Sequence, residues 1–220
     1  MAGIEDKVHV TYVKQGLVPQ YAYTHDISGS SPFEFVCAGV TGLVYRQVDD
    51  LLRYAYAQTP DNLASLGTFG DLDQQFTLNS VDQSWLSVLV PRTRQGAHYL
   101  QVVPRCVPNT VDTPDLSLAR DRSRDVAWRW LDEPWAYDVP SGSSLVTTLA
   151  VMSGTPPISF YRWEPDQWEA LDKSAADVVR EDVRVLPIGV LPLISPHHDS
   201  IRGLRVGAGL KLTGQGLVPD

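Results

Sequence analysis

In the first half of the chain the apolar residues come in short runs, Val8 to Val13, Tyr21 to Ile27 and Phe33 to Val40. Each is strand-length and rich in β-branched or aromatic side chains, the pattern of a β-strand. Gly16 and Pro19 separate the first run from the second, and the cluster Ser28, Gly29, Ser30, Ser31 and Pro32 separates the second from the third. Turn formers at these places predict an antiparallel meander. The period then changes. Val44, Val48, Leu51, Leu52, Ala55 and Tyr56 recur at three- and four-residue steps, which predicts an amphipathic helix over 44–58, with Thr41 as its N-cap and Pro60 as its stop. Arg46 with Asp50, and Asp49 with Arg53, stand at i,i+4 on its polar side. Strand patterns resume at 75–79, 85–90 and 98–103. The expected class is α+β, β-rich and mainly antiparallel, with one prominent amphipathic helix in the first half and a second small α+β unit.

After Pro104 the composition shifts. Pro108, Asn109, Asp112, Thr113 and Pro114 lead into the charge-dense RDRSRD from Arg120 to Asp125. Residues 1–110 therefore read as a β-rich domain, 111–125 as a solvated linker and 126–220 as a second, Trp-rich domain. In that second half, Val126 to Trp130 suits a short helix ended by Pro134. Ser143 to Met152 and Ile158 to Trp163 suit strands around the turn SGTPP, and Lys173 to Asp182 a short helix. Pro187 and Pro192 make Val183 to Ile194 an edge strand or an irregular segment. Five of the six Trp lie between Trp128 and Trp168, and two pairs repeat a five-residue step: Trp130 to Trp135 in WLDEPW, Trp163 to Trp168 in WEPDQW.

Charge excludes one class of partner. The chain carries −8, divided as seven basic against ten acidic residues in 1–110 and eleven against sixteen in 111–220. Neither half has the Lys and Arg surplus that draws a protein to a nucleic-acid backbone. MAGIEDKVHVTYV lacks a basic segment followed by an apolar one, and no run reaches the ~18 apolar residues of a membrane-spanning helix. These features lead to an expectation of a cytoplasmic protein with no nucleic-acid or membrane partner. Cys37 and Cys106 are too few for a disulfide scaffold and sit in apolar contexts, as core residues do.

Two polar clusters carry candidate chemistry. His25 and Asp26 end a predicted strand, and with Glu34 they form a candidate acid–base set in which a carboxylate holds the imidazole tautomer. The alternative there is a turn, with Asp26 bonded to backbone amides and His25 solvated. Ser195 to Asp199, SPHHD, offers adjacent His side chains, which diverge, whereas helical metal sites use i and i+4. A polar turn explains that cluster. GAGLK at Gly207 lacks the phosphate-loop spacing, GVTGLV at Gly39 lacks the third glycine of a dinucleotide fingerprint, and Ser141, Ser143 and Ser144 lack the flanking glycines of a hydrolase elbow. No cofactor and no metal is expected.

Ala22, Tyr23 and Thr24, then Pro32, Glu34 and Gly39, then the helix over 44–58 and YLQVVP at Tyr99 to Pro104 carry a resemblance across residues 7–104. The segment resembles a bacterial family of unknown function whose members carry an A-Y-T-x-G-L strand, an H-P-E-L motif before an apolar strand, a Leu-rich helix and an L-Q-V-V-W-P strand. His25 and Asp26 replace that family's small residue and Gly, and Ser31 replaces its His. Thr147, Thr148, Gly154, Ile158, Asp166, Trp168 and Leu171 make residues 125–195 similar to small immunity-like domains of bacterial toxin and defence loci. That second resemblance implies a noncatalytic, partner-binding role in a bacterial cytoplasm.

The leading functional expectation is a binding protein that neutralises a toxin or effector, with a basic partner suiting its acidic charge, Trp135 and Trp163 at the interface and Trp168 buried as an anchor. A small hydrolase or peptide-tailoring enzyme using His25, Asp26 and Glu34 is the second expectation. A structural or phage-associated component is the third.

Overall fold

The computed structural model of the chain describes residues 7–14, 16–26, 29, 31–57, 68–69, 75–105, 110–120 and 126–220. The chain is α+β, strand-rich and mostly antiparallel, and it divides into two compact units. The first takes its described residues from 1–14, 20–109 and 113–124; the second takes them from 15–19, 110–112 and 125–220. No helix among the described residues is long and apolar enough to cross a membrane. Cys106, Pro108, Asn109, the N-terminal residues 1–6, Pro60 and residues 121–125 of RDRSRD lie outside the described residues.

The first unit contains β1 (Val8–Val13), β2 (Tyr21–Asp26), β3 (Phe33–Ala38), α1 (Tyr45–Ala57), β4 (Thr68–Phe69), β5 (Phe76–Ser80), α2 (Gln83–Leu89) and β6 (His98–Pro104). Its six-stranded sheet runs β1-β2-β3-β6-β5-β4, with β3 and β6 parallel and the other pairs antiparallel. The meander β1-β2-β3 follows from its turn residues as expected. Helix α1 buries Val48, Leu51, Leu52, Ala55 and Tyr56 over β1, β2, β3 and β6, in a core with Val8, Val10, Ala22, Phe35, Cys37, Phe76, Leu78, Leu100 and Val102. Arg53 ties the helix to the sheet by donating to the carbonyl of Val8 at 3.0 Å and pairing with Asp49 at 2.8 Å. Two expectations at the start of α1 are corrected. Val44 is 62% exposed and off the buried face, and the helix starts at Tyr45, four residues past Thr41, which is buried. The entry is closed by Gln47, whose Oε1 accepts from the Val44 N–H at 2.9 Å, the back-bond of a capping box.

The expected strand over 85–90 is instead α2. Trp85, Leu86 and Leu89 are buried at helical spacing, and Asp82 caps the N-terminus by accepting from the Ser84 N–H at 2.9 Å and its hydroxyl at 2.6 Å. Those bonds from Ser84 hold the Asp82 carboxyl below its ordinary range. Part of the segment read as linker is packed: Leu116 is fully buried, and Gln101 donates to the carbonyl of Pro114 at 2.7 Å and accepts from the Leu116 N–H at 3.1 Å.

The second unit contains β7 (Ser144–Thr148), α3 (Leu149–Met152), β8 (Ser159–Glu164), β9 (Gln167–Leu171), β10 (Val183–Pro187), α4 (Leu191–Ile194), α5 (His198–Arg202), β11 (Gly209–Thr213) and β12 (Gly216–Pro219). Its sheet runs β10-β7-β9-β8-β11-β12, with only β7 and β9 parallel. The run from Ser143 to Met152 is a strand only to Thr148, whose hydroxyl accepts from the Val151 N–H and starts one helical turn. Val126 to Trp130 yields a 3₁₀ turn at Arg129–Leu131, and Lys173 to Asp182 yields two, at Ala175–Asp177 and Arg180–Asp182. Pro196 and His197 of SPHHD form the expected turn, and His198 and Asp199 open α5. Strand β10 lies at the sheet edge and ends at Pro187, where proline is tolerated.

Alternation sorts the second sheet into two faces. Leu186, Leu145, Trp168 and Phe160 are buried on one face. On the other, ladder pairing places Val185, Val146, Glu169, Tyr161 and Gly209 in one row across five strands.

Candidate functional site

Three neighbourhoods hold the residues with chemical potential, and each lies within one unit. In the first unit, β2 and β3 pair only as far as Tyr23 with Val36, and polar side chains close the gap beyond that point. Thr24 donates its hydroxyl to Glu34 Oε2 at 2.6 Å and accepts from the Phe35 N–H at 2.8 Å. Glu34 Oε1 accepts from the Asp26 N–H at 2.9 Å and from Arg94 Nε at 3.2 Å. Arg94 also donates to the carbonyl of Ser31. Asp26 closes the following turn, accepting from the Gly29 N–H at 3.0 Å and the Ser31 N–H at 2.7 Å. A buried carboxylate is stable when its lone pairs are occupied in this way.

The structure therefore brings Asp26 and Glu34 together as a buried brace. His25 is not part of it. It alternates to the exposed side of β2, away from Thr24 and Asp26, and faces His9 of β1 in the ladder. Tyr99 borders the brace, with its hydroxyl accepting from the Arg94 N–H at 2.8 Å; burial is the main cause of its raised pKa. Thr24, the Asp26 N–H and Arg94, which all bind Glu34, hold the strand gap closed.

The second neighbourhood surrounds WLDEPW. Trp130, Trp135 and Tyr137 form a triangle of edge-to-face contacts, with centroids 4.9, 5.5 and 4.9 Å apart. Arg129 stacks over Trp130 at 4.2 Å and donates to the Tyr137 hydroxyl at 2.8 Å. Arg202 covers Tyr137 and pairs with Asp199, and burial lowers its pKa. Trp130 donates to the carbonyl of Gly189 at 3.0 Å, and Trp135 donates to that of Val139 at 2.7 Å. A side chain at 189 would meet the indole of Trp130 at 2.9 Å and the carbonyl of Leu17, so only glycine admits this approach. Trp135, expected at an interface, is half-buried with its indole N–H satisfied inside the protein. His198, from the SPHHD cluster, lies 3.3 Å from the carbonyl of Ser195, and Asp199 is committed to Arg202. Among the described residues no group of three or more His, Cys, Asp or Glu side chains converges as metal ligands would.

The third neighbourhood is the hairpin WEPDQW, the turn between β8 and β9. Trp168 is fully buried, with the Arg162 guanidinium 4.3 Å above its ring. Arg162 also donates to the carbonyl of Pro165 in the hairpin turn at 2.6 Å and to that of Leu204, after α5, at 2.8 Å. Register shifts between Arg162 and Glu164, so Trp163 sits in a bulge on the opposite side from Trp168. Trp163 is 53% exposed. Its ring lies 4.4 Å from that of Tyr161, tilted by 52°, and its N–H donates to Glu169 Oε2 at 3.2 Å. Trp168 is buried, as the resemblance to immunity-like domains implies, but the strand over 167–171 escapes a search for apolar runs, because QWEAL carries two polar positions.

Comparison with protein-family models, with curated proteins and with solved structures found no match to this chain.

Proposed function

We propose that the chain acts by binding another protein, in the manner of a bacterial cytoplasmic immunity or defence protein that neutralises a toxin or effector. The observation that carries this reading is the placement of Trp163. A large indole is costly to leave in water, since aromatic side chains of this size bury ~150 to 250 Å² when enclosed. Here it is half exposed and oriented by Glu169, on a sheet face that also displays Val185 at 63% exposure. Exposed aromatic anchors flanked by apolar residues are the usual energetic centres of protein interfaces. The similarity of residues 125–195 to immunity-like domains supports the same role, and the acidic balance of the chain favours a basic partner.

The test is affinity capture at native expression level from the host, with the natural chain and Trp163→Ala side by side, followed by mass spectrometry. A stoichiometric partner is expected with the natural chain and a loss of at least tenfold with the variant, while near-UV circular dichroism stays unchanged. Recovery of no partner, or undiminished recovery with the variant, overturns the reading.

A further inference from the structure

The face of the second sheet that carries Trp163 is more selective than an apolar patch. This inference rests on the partner-binding reading and sharpens it. Tyr161 and Trp163 meet at 4.4 Å and 52°, presenting two ring systems inclined to each other. Ring faces carry the negative side of the aromatic quadrupole and attract cations. One carboxylate stands against the pair, and others are close in the chain. Glu169 stands directly opposite Tyr161 in the β8–β9 ladder and holds the Trp163 N–H, which uses one of its oxygens and leaves its charge at the rim of the rings. Glu164 and Asp166 are exposed in the same hairpin. On the other flank Tyr161 pairs with Gly209, and the Asp220 side chain lies 3.3 Å from where a Cβ at 209 would stand.

Among the described residues no guanidinium or ammonium group of the chain stacks on Tyr161 or Trp163. Arg162 is on the other face, stacked on Trp168 and bonded to main-chain carbonyls. Lys211 is on the same face as Gly209 but two residues further along β11, opposite Ser159. By contrast, the Trp130–Trp135–Tyr137 triangle already has guanidinium groups from its own chain, Arg129 and Arg202, over its rings. The same chemistry is satisfied internally at one aromatic cluster and left open at the other.

We propose that Tyr161, Trp163 and Glu169 form a recognition site for a lysine or arginine side chain presented by a basic segment of the partner. The cationic head sits against the two rings and pairs with Glu169, while its methylene stem lies along Val146, the next residue of the same row.

The probe is a blocked pentapeptide with one lysine among glycines, and its counterpart with norleucine in place of lysine. Norleucine keeps the stem and removes the charge. Binding is followed by NMR at the indole N–H of Trp163, assigned by its disappearance in Trp163→Phe. The lysine peptide is expected to give a saturable shift with a Kd of roughly 1–10 mM, and the norleucine peptide to bind at least about tenfold more weakly. Glu169→Gln is expected to weaken the lysine peptide roughly threefold or more and to leave the norleucine peptide unchanged. Equal binding of the two peptides overturns the cation site but leaves partner docking through Trp163 intact. No saturable shift with the lysine peptide also overturns the site, and the capture experiment then decides the broader reading separately.

Discussion

Glu34 and Glu169 are both carboxylates on a β-sheet beside an aromatic residue, and they are put to opposite uses. Glu34 is 1% exposed and accepts from Thr24, from the Asp26 N–H and from Arg94, with Tyr99 at the edge of the cluster. Glu169 is half-buried and takes an N–H from the exposed Trp163. The first carboxylate replaces a missing stretch of sheet ladder, so its bonding capacity is spent on the fold. The second orients a ring at the surface and keeps charge to offer. A carboxylate's neighbours in sequence say little about which role it takes; the number of donors that converge on it decides.

Breaking the first side of this contrast has the largest expected effect. Glu34→Ala strands Arg94, the Thr24 hydroxyl and a buried N–H, and should cost roughly 3–5 kcal/mol of stability in urea denaturation, as loss of one member of a buried ion pair does. A loss below about 1 kcal/mol would mean that Glu34 is not a brace and would reopen its catalytic reading. Trp168→Ala should cost a similar amount, roughly 3–5 kcal/mol, because a fully buried indole leaves a large cavity.

An effect that is absent below pH 9 and grows above it separates the interior of the first unit from the open sheet face of the second. Burial pushes the Cys37 thiol from 9.0 up to about 12, and burial followed by the neighbouring Cys37 moves Tyr12 from 10.0 to about 12. Both groups are neutral when protonated, so below their ordinary values folded and unfolded states bind the same protons. Above pH 9 the unfolded chain releases protons that the folded one retains, and stability falls as pH rises toward 12. The slope attributable to Cys37 approaches ~1.4 kcal/mol per pH unit. Cys37→Ala should flatten the decline between pH 9 and 12 in pH-dependent melting; an unchanged slope would assign the alkaline loss elsewhere.

The smallest stability effects belong to the open carboxylate. Glu169→Gln and Trp163→Ala should each change unfolding free energy by no more than about 0.5 kcal/mol, as surface substitutions do. A loss of several kcal/mol on Trp163→Ala would make its indole a structural member of the fold and erase the contrast.

Much of the architecture was legible where one signal acted alone. The meander of β1, β2 and β3 followed from alternating apolar residues and turn formers, and α1 from a clean three- and four-residue period. Reading failed where a short segment satisfied two patterns. Trp85, Leu86, Leu89 and Val90 resemble a strand-length apolar run, and the Asp82 cap, bonded to Ser84, is the signal that marks a helix start there. Thr148 divides SSLVTTLAVM by the same kind of capping bond. At the candidate sites, sequence placed Asp26 and Glu34 near each other but not Arg94, sixty residues from Glu34, because that ion pair depends on tertiary approach. Trp163 was expected at the surface and Trp168 in the interior, and Tyr161 shares the strand of Trp163, while Glu169 emerged only from the β8–β9 register.

Gly209 gives Tyr161 its place. A Cβ there would come within 3.0 Å of the Tyr161 ring, so the ring rests against bare backbone. Its partner Trp163 is fixed by a hydrogen bond, and the hairpin that bears both is held by Arg162. The rings are thus oriented by contacts within the chain, which lowers the rotational freedom that docking through them would cost. Association at this face should accordingly be a single kinetic phase, with no slow rearrangement after encounter.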